Sequence, residues 1–288
     1  MNRLFLYSGL IFILILIFDT YDRDYNQTVV ESDQIIENES VVNPKQPPQT
    51  DSIQSVKSEK AQPKVKSIDT LESNKLIIKY DTNSGELLYS ELKDYAVDLG
   101  SDEKIIILDY EKKKYSAASN IQLLNTNIYP IYNKKNSLQI NTVILESTNI
   151  AGVTLTKEIT LLDDTHQIAI RNTIKNNSAK SIDVRNYETI SRDDNNTASI
   201  MLPTYTGSAY YDEENKFSKL SFEDIVDDSQ TVKTQSSWIS MIEHYFFSAW
   251  LPTSSNKKTI YTSHNQDIYT IGSSTDYSQV PPSQSLTY

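Results

Sequence analysis

From Leu71 onward, apolar and polar positions alternate in short runs broken by turn residues, the pattern of half-buried strands. Leu76-Ile77-Ile78-Lys79-Tyr80 meets the turn signal Asn83-Ser84-Gly85, and Glu86-Leu87-Leu88-Tyr89 resumes, which predicts a hairpin. Ile105 to Leu108 is a further short apolar run. Val153, Leu155, Ile159 and Leu161 share one parity, and Thr154, Thr156, Glu158 and Thr160 take the other. A turn at Asp163-Asp164-Thr165-His166 leads to Ile168, Ile170 and Ile174 on one face. Asn176-Asn177-Ser178 then turns the chain into Ile182 and Val184. Strand-like pieces recur from Ile260 to Ile271 and from Ser285 to Tyr288. Short strands with a turn every ten or so residues predict a mainly β, antiparallel sandwich.

One stretch departs from this texture. Ser237 to Pro252 holds both tryptophans and two of the seven phenylalanines, in a chain whose other rings are mostly among its 19 tyrosines. Trp238, Met241, Ile242 and Tyr245 recur at helical spacing, which predicts a turn or two of helix. From Tyr245 to Leu251 the residues are apolar without that period, and Pro252 ends them, as in a buried strand. The stretch is expected to tie the core together, with Trp238 and Trp250 largely buried. Glu243 and His244 are neighbours in sequence, so their side chains diverge in either secondary structure and form no acid–base pair.

The first residues set the compartment. Leu4 to Phe18 is almost wholly apolar, and the 19 residues from Arg3 to Tyr21 would span about 28 Å as a helix, close to a bilayer core. Arg3 precedes the run and Asp19, Asp22 and Asp24 follow it, so the N-terminus is expected in the cytoplasm and the remainder outside it. A cleaved signal peptide is the competing reading, but Asp19-Thr20-Tyr21-Asp22 offers no small-residue cleavage site. Residues 1–25 are therefore expected to be an uncleaved transmembrane signal anchor. Residues 26–70, rich in Ser, Gln, Glu, Lys and Pro, read as a disordered polar linker spanning roughly 37 Å root-mean-square. Residues 71–288 are left as the folded domain.

A net charge of -11 argues against a nucleic-acid surface and equally against a face lying on anionic lipid. The absence of cysteine excludes disulfides, thiolate metal sites and cysteine nucleophiles. His166, His244 and His264 have no metal-ligand spacing, so no cofactor or metal is expected. The paired carboxylates at Asp163-Asp164, Asp193-Asp194, Glu213-Glu214 and Asp227-Asp228 sit among turn residues, where Asp caps backbone amides. No nucleophile elbow or phosphate-binding loop is present. No enzyme activity is expected.

A small residue, then Trp238, Ile239, Ser240, Met241 and Ile242, leading into Tyr245-Phe246-x-x-Ala249-Trp250-x-Pro252, resembles the periplasmic domain of the bacterial YidC membrane-protein insertase family. Tyr205-x-Gly207-x-Ala209-Tyr210 and Phe217-x-Lys219-x-x-Phe222-x-x-Ile225 resemble that family's next segments upstream. Leu76-x-Ile78-x-Tyr80-x-Thr82-x-Ser84-Gly85 resembles its first hairpin, with Ser84 where the family usually has glycine. Thr156-Lys157-x-Ile159-Thr160-Leu161 resembles its central strand pair.

The resemblance implies a mutarotase-like antiparallel β-supersandwich with short helical elements, carried on the first transmembrane helix of an insertase in a Gram-negative inner membrane. It gives Gly85, Lys157, Gly207, Ala209, Tyr210, Lys219, Phe222, Trp238, Met241, Tyr245, Phe246, Ala249, Trp250 and Pro252 structural motif roles, and none of them a catalytic one. It implies partners in the Sec translocase and nascent membrane proteins, beside the inner membrane itself through residues 3–21. The five-helix insertase core that follows in the family lies beyond Tyr288, so the sequence is expected to be truncated before it. The alternative is a membrane-anchored carbohydrate-binding or mutarotase-like module, which would need an exposed tryptophan platform or a converging His and Glu.

Overall fold

The computed structural model describes residues 67–126, 128–194, 205–235, 237–252 and 257–288, all within the compact unit Val42–Tyr288. The anchor and nearly all of the linker fall outside these residues. Regular structure begins with β1 (Ile68–Glu72), β2 (Leu76–Asp81), β3 (Leu87–Ala96) and β4 (Lys104–Asp109). The one-turn helix α1 (Tyr110–Lys113) and β5 (Ser116–Leu123) follow. Next come β6 (Asn133–Lys135), β7 (Thr142–Ser147), β8 (Val153–Leu161), β9 (Ile168–Asn176) and the long β10 (Ile182–Asp193). After β11 (Thr206–Asp212) and β12 (Lys216–Leu220), helix α2 (Phe222–Asp227) precedes β13 (Thr231–Thr234), β14 (Trp238–Glu243) and β15 (Phe246–Trp250). The chain closes with β16 (Lys258–Asn265), β17 (Ile268–Thr275), β18 (Ser278–Val280) and β19 (Ser285–Thr287).

Among the described residues the fold is mainly β, built from three antiparallel sheets with two short helices. The largest has ten strands in the order β1-β2-β3-β5-β10-β17-β16-β13, with β4 beside β3 and β18 beside β10. A five-stranded sheet runs β19-β9-β8-β7-β6 and a four-stranded one β12-β11-β14-β15. One core joins them: Leu76, Ile78, Ile121 and Ile190 from the large sheet, Val143, Leu155, Ile159 and Ile174 from the second, and Ile239 and Met241 from the third. The alternation in β8 is complete, with Val153, Leu155, Ile159 and Leu161 buried and the threonines half-buried. β19 is the outermost strand on β9, and Tyr288 exchanges backbone hydrogen bonds with Asn172.

The aromatic stretch is a β-hairpin, and the expected helix is not formed. Trp238 to Glu243 is strand β14, paired on one side with β11 and on the other with β15. Ile239 and Met241 lie on the core side of the sheet and Trp238 and Ser240 on the other, a period of two, with Ser240 buried there as well. The helical spacing of Trp238, Met241, Ile242 and Tyr245 was outweighed by two flanking strands, which satisfy the backbone of β14 on both edges. His244 turns the chain at φ 54°, and β15 follows as an edge strand rather than a buried one. Edge position leaves Tyr245 84%, Phe247 66% and Leu251 61% exposed. Trp238 and Trp250 are half-buried, not enclosed. The chain is instead organised on β10, which pairs with β5, β17 and β18 and is buried on both faces over much of its length.

Helix α2 forms where Ser221 accepts from the Asp224 amide and Asp224 accepts from the Ser221 amide, a reciprocal cap. Phe222 and Ile225, one turn apart, are its buried side.

Candidate functional site

The motif residues fall into two places. Gly85 and Lys157 meet in the first. Lys157 shares the parity of Leu155 and Ile159 and is 0% exposed, a lysine where the strand pattern calls for an aliphatic. Its amine donates to the Ser84 carbonyl at 2.9 Å and to Asn120 Oδ1 at 2.7 Å, and lies 5.1 Å from the centre of the Tyr132 ring. Burial pushes its pKa down to about 7, against the pull of the Glu86 and Asp81 charges. Gly85 sits at φ +68°, and a Cβ there would lie 2.5 Å from Lys157 Cδ. Only glycine leaves room for the lysine stem, so the two positions depend on each other. Asn172, opposite Lys157 on β9, donates to Ser119 at 2.7 Å and Asn186 at 3.0 Å. The lysine thus fastens β8 to the β2–β3 turn and to β5, and its enclosure denies it to any substrate.

The second place is the four-stranded sheet and its support. On the inner side, Arg192 of β10 is 0% exposed, with its guanidinium 5.2 Å from the Tyr115 ring centre and 5.8 Å from that of Phe222. Its Nη1 is 3.3 Å from Glu243 Oε2 but lacks hydrogen-bond direction, so this is an ion pair without a hydrogen bond. Lys113 of α1 also pairs with Glu243. Tyr115 hydroxyl donates to the Met241 carbonyl at 3.2 Å and lies 2.7 Å from Ser248 Oγ. Burial pushes its pKa up to about 12, with Ser248 and the Arg192 charge pulling the other way. Trp250 Nε1 donates to the Thr189 carbonyl at 3.0 Å. Tyr210, Phe222, Met241, Phe246 and Trp250 all belong to this inner layer.

Register places the other motif residues on the sheet's outer face. Lys219, Ala209, Ser240 and Ala249 form one row across the four strands. Phe217, Tyr211 and Trp238 form the next row on one side; Gly207, Ile242 and Phe247 form that on the other. Tyr211 stacks on Trp238 at 6.4 Å, and Phe217 leans on the same indole at 5.8 Å. Tyr205 covers Gly207, where a Cβ would lie 2.7 Å from its hydroxyl, and Lys219 Nζ is 4.9 Å from the Tyr205 ring centre. The result is a covered floor of small residues, with Ala209 and Ser240 buried, between a row of three rings on one side and Phe247 on the other; Phe217 is 50% and Phe247 66% exposed. Tyr245 lies in the turn after β14, and Pro252 lies just past β15.

The three histidines remain apart: His166 beside Asp94 and Tyr95, His244 against Tyr245, and His264 stacked on Tyr269. None is ion-paired with a glutamate among the described residues. Arg192, Tyr115 and Asn172 escaped the sequence reading. Their signal was weak, since a polar residue on a buried parity shows only once the register is known.

These features define a class: an antiparallel β-sandwich domain in which the residues singled out above hold sheets together and line one sheet face. The model of the YidC periplasmic domain family matches residues 69–288, and the chain belongs to that family. A protein named membrane protein insertase YidC from Haemophilus ducreyi is 28% identical, covering 99% of this chain and 54% of its own length. The protein of that name from Methylobacillus flagellatus is 25% identical, covering 99% and 55%. The chain therefore spans about half the length of these curated relatives. Among solved structures, a galactose mutarotase related enzyme from Lactobacillus acidophilus aligns with a TM-score of 0.45 at 8% identity, covering 77% of this chain and 95% of its own. A putative aldose 1-epimerase from Escherichia coli K12 gives 0.47 at 10% identity, covering 77% and 96%.

Proposed function

We propose that this chain is the anchored periplasmic part of a YidC-type membrane protein insertase and assists insertion and folding of inner-membrane proteins together with the Sec translocase. The observation that carries the reading is the match to relatives named as insertases, which takes in 99% of the chain. Residues 3–21 hold the protein in the inner membrane with the N-terminus in the cytoplasm, and the linker from about residue 26 to 70 lets the β-domain range over the periplasmic surface. The domain catalyses no reaction of its own. Its role is contact, and the outer face of the four-stranded sheet, with Trp238, Phe217, Phe247 and Lys219, is the surface that meets the machinery. A carbohydrate role is disfavoured because Tyr211 and Phe217 already engage the Trp238 indole that a sugar ring would need.

Two measurements test this. Protease added to spheroplasts should remove the β-domain, and full protection refutes the topology. A photo-crosslinking residue at Phe217 or Phe247 should capture a Sec subunit, whereas one at the exposed Lys175 of the five-stranded sheet should not. Equal capture from both positions refutes the assignment of the face.

A further inference from the structure

At one end of the domain, turns from all three sheets come together. The β8–β9 turn is tied to the β6–β7 loop by Asn141 Nδ2 donating to Asp163 at 2.7 Å, and to the β1–β2 turn by Asn74 donating to Asp164 at 3.5 Å. His166 of the same turn lies 4.0 Å from Asp94 and 5.6 Å, ring to ring, from Tyr95 near the end of β3. Tyr95 in turn meets the Phe246 ring at 5.9 Å, which brings in the β14–β15 turn. The β3–β4 loop continues directly from Tyr95 and closes with the Val97 amide donating to the Glu103 carbonyl.

What these turns present to solvent is unusual for loops. Leu99 and Leu138 are fully exposed, Ile140 is 88% and Tyr245 84% exposed, with Val97 and Leu162 exposed beside them. Loop tips ordinarily carry small polar residues, and several large apolar side chains held out together mark an interaction surface. The charge around them is predominantly negative, the cation among the joined turns being Lys75 of the β1–β2 turn, which is paired with Asp94 at 2.7 Å. The β3–β4, β6–β7, β8–β9 and β14–β15 turns carry Asp98, Asp102, Glu103, Asp163 and Asp164, and no lysine or arginine. These carboxylates are exposed.

We infer that this end of the domain docks a polypeptide segment in which an apolar run is bordered by lysines or arginines. The apolar tips bury against the run and the carboxylates meet the flanking cations. Like-charge repulsion disfavours the two other occupants of an apolar patch, an anionic lipid surface and a second copy of this end. The inference rests on the turns alone and stands apart from the insertase reading and from the outer face of the four-stranded sheet.

The test uses the full chain in nanodiscs of neutral phosphatidylcholine, with empty nanodiscs as the baseline. The probe is a fluorescent peptide with a leucine–alanine core and lysines at both ends, compared with the same core bordered by glutamates. Saturable binding of the lysine peptide is expected, falling as salt is raised. Binding should be about tenfold weaker to Leu138→Ser/Ile140→Ser and to Leu99→Ser, whose side chains are too exposed for the change to unfold the domain. Asp98→Asn/Asp102→Asn should weaken the lysine peptide alone and leave the glutamate peptide as it was. Equal binding of the two peptides, wild-type affinity in the serine variants, or no saturable binding of the lysine peptide each overturns the inference.

Discussion

Replacing Gly85 with alanine tests the central packing claim. The backbone there is at φ +68°, and an L-residue in that region costs roughly 1–2 kcal/mol. The new Cβ would also lie 2.5 Å from Lys157 Cδ, 2.9 Å from Nζ and 3.1 Å from Cε. The lysine has no open solvent to retreat into, so the clash falls on its amine and the bonds to Ser84 and Asn120. Overpacking of this kind costs about 1–3 kcal/mol, giving a total of roughly 2–5 kcal/mol. Urea unfolding followed by tryptophan fluorescence would measure it, in the parent and in a Lys157→Ala background. Alanine at 157 removes the three atoms nearest the new methyl, so chiefly the backbone part, about 1–2 kcal/mol, should remain there. If Gly85→Ala costs the same in both backgrounds, the two residues do not depend on each other and the packing account is wrong.

Three further outcomes are expected. Because the folded pKa of Lys157 is about 7 against 10.5 for a free lysine, the unfolded chain binds the extra proton between those values. Stability should therefore rise with pH from about 7 to about 10.5, by at most about 1.4 kcal/mol per unit, and Lys157→Met should flatten that rise in urea melts. Glu243→Gln should cost about 3 kcal/mol, since it strands the buried Arg192 charge. Arg192→Met should cost less, because Lys113 still pairs with Glu243; equal costs by thermal denaturation would refute that asymmetry. Trp250→Phe should lose about 1 kcal/mol with the indole bond to the Thr189 carbonyl, and Trp238→Phe, whose ring packs against Tyr211 and Phe217 on the outer face, should fall below that.

The β character was legible because apolar residues two apart on β8 and β9, such as Val153 and Leu155, Ile159 and Leu161, or Ile168 and Ile170, report a pleated surface directly. The first hairpin was equally plain, since the Asn83-Ser84-Gly85 turn permits the positive φ that Gly85 adopts. Trp238 to Tyr245 misled because four large residues at helical spacing carry no information about the strands on either side. Pairing with β11 from upstream decided the matter. Lys157 shows the opposite failure: the alternation was read through its aliphatic neighbours, and its own place on the buried parity was passed over. Only the three-dimensional meeting with Gly85, Asn120 and Tyr132 gives that lysine its partners.

The position of β10 has a kinetic consequence. It lies between β5, made well before it, and β17, made well after it, and the register with each runs over seven or more residues. No local segment can complete this pairing, so the entropy of closing long loops comes before most of the reward. The same holds for β9, whose edge stays open until β19 arrives and Tyr288 joins its backbone to Asn172. Refolding from urea should accordingly be slow for a domain of this size, and the nascent chain must keep two unpaired strand edges from other partners in the meantime.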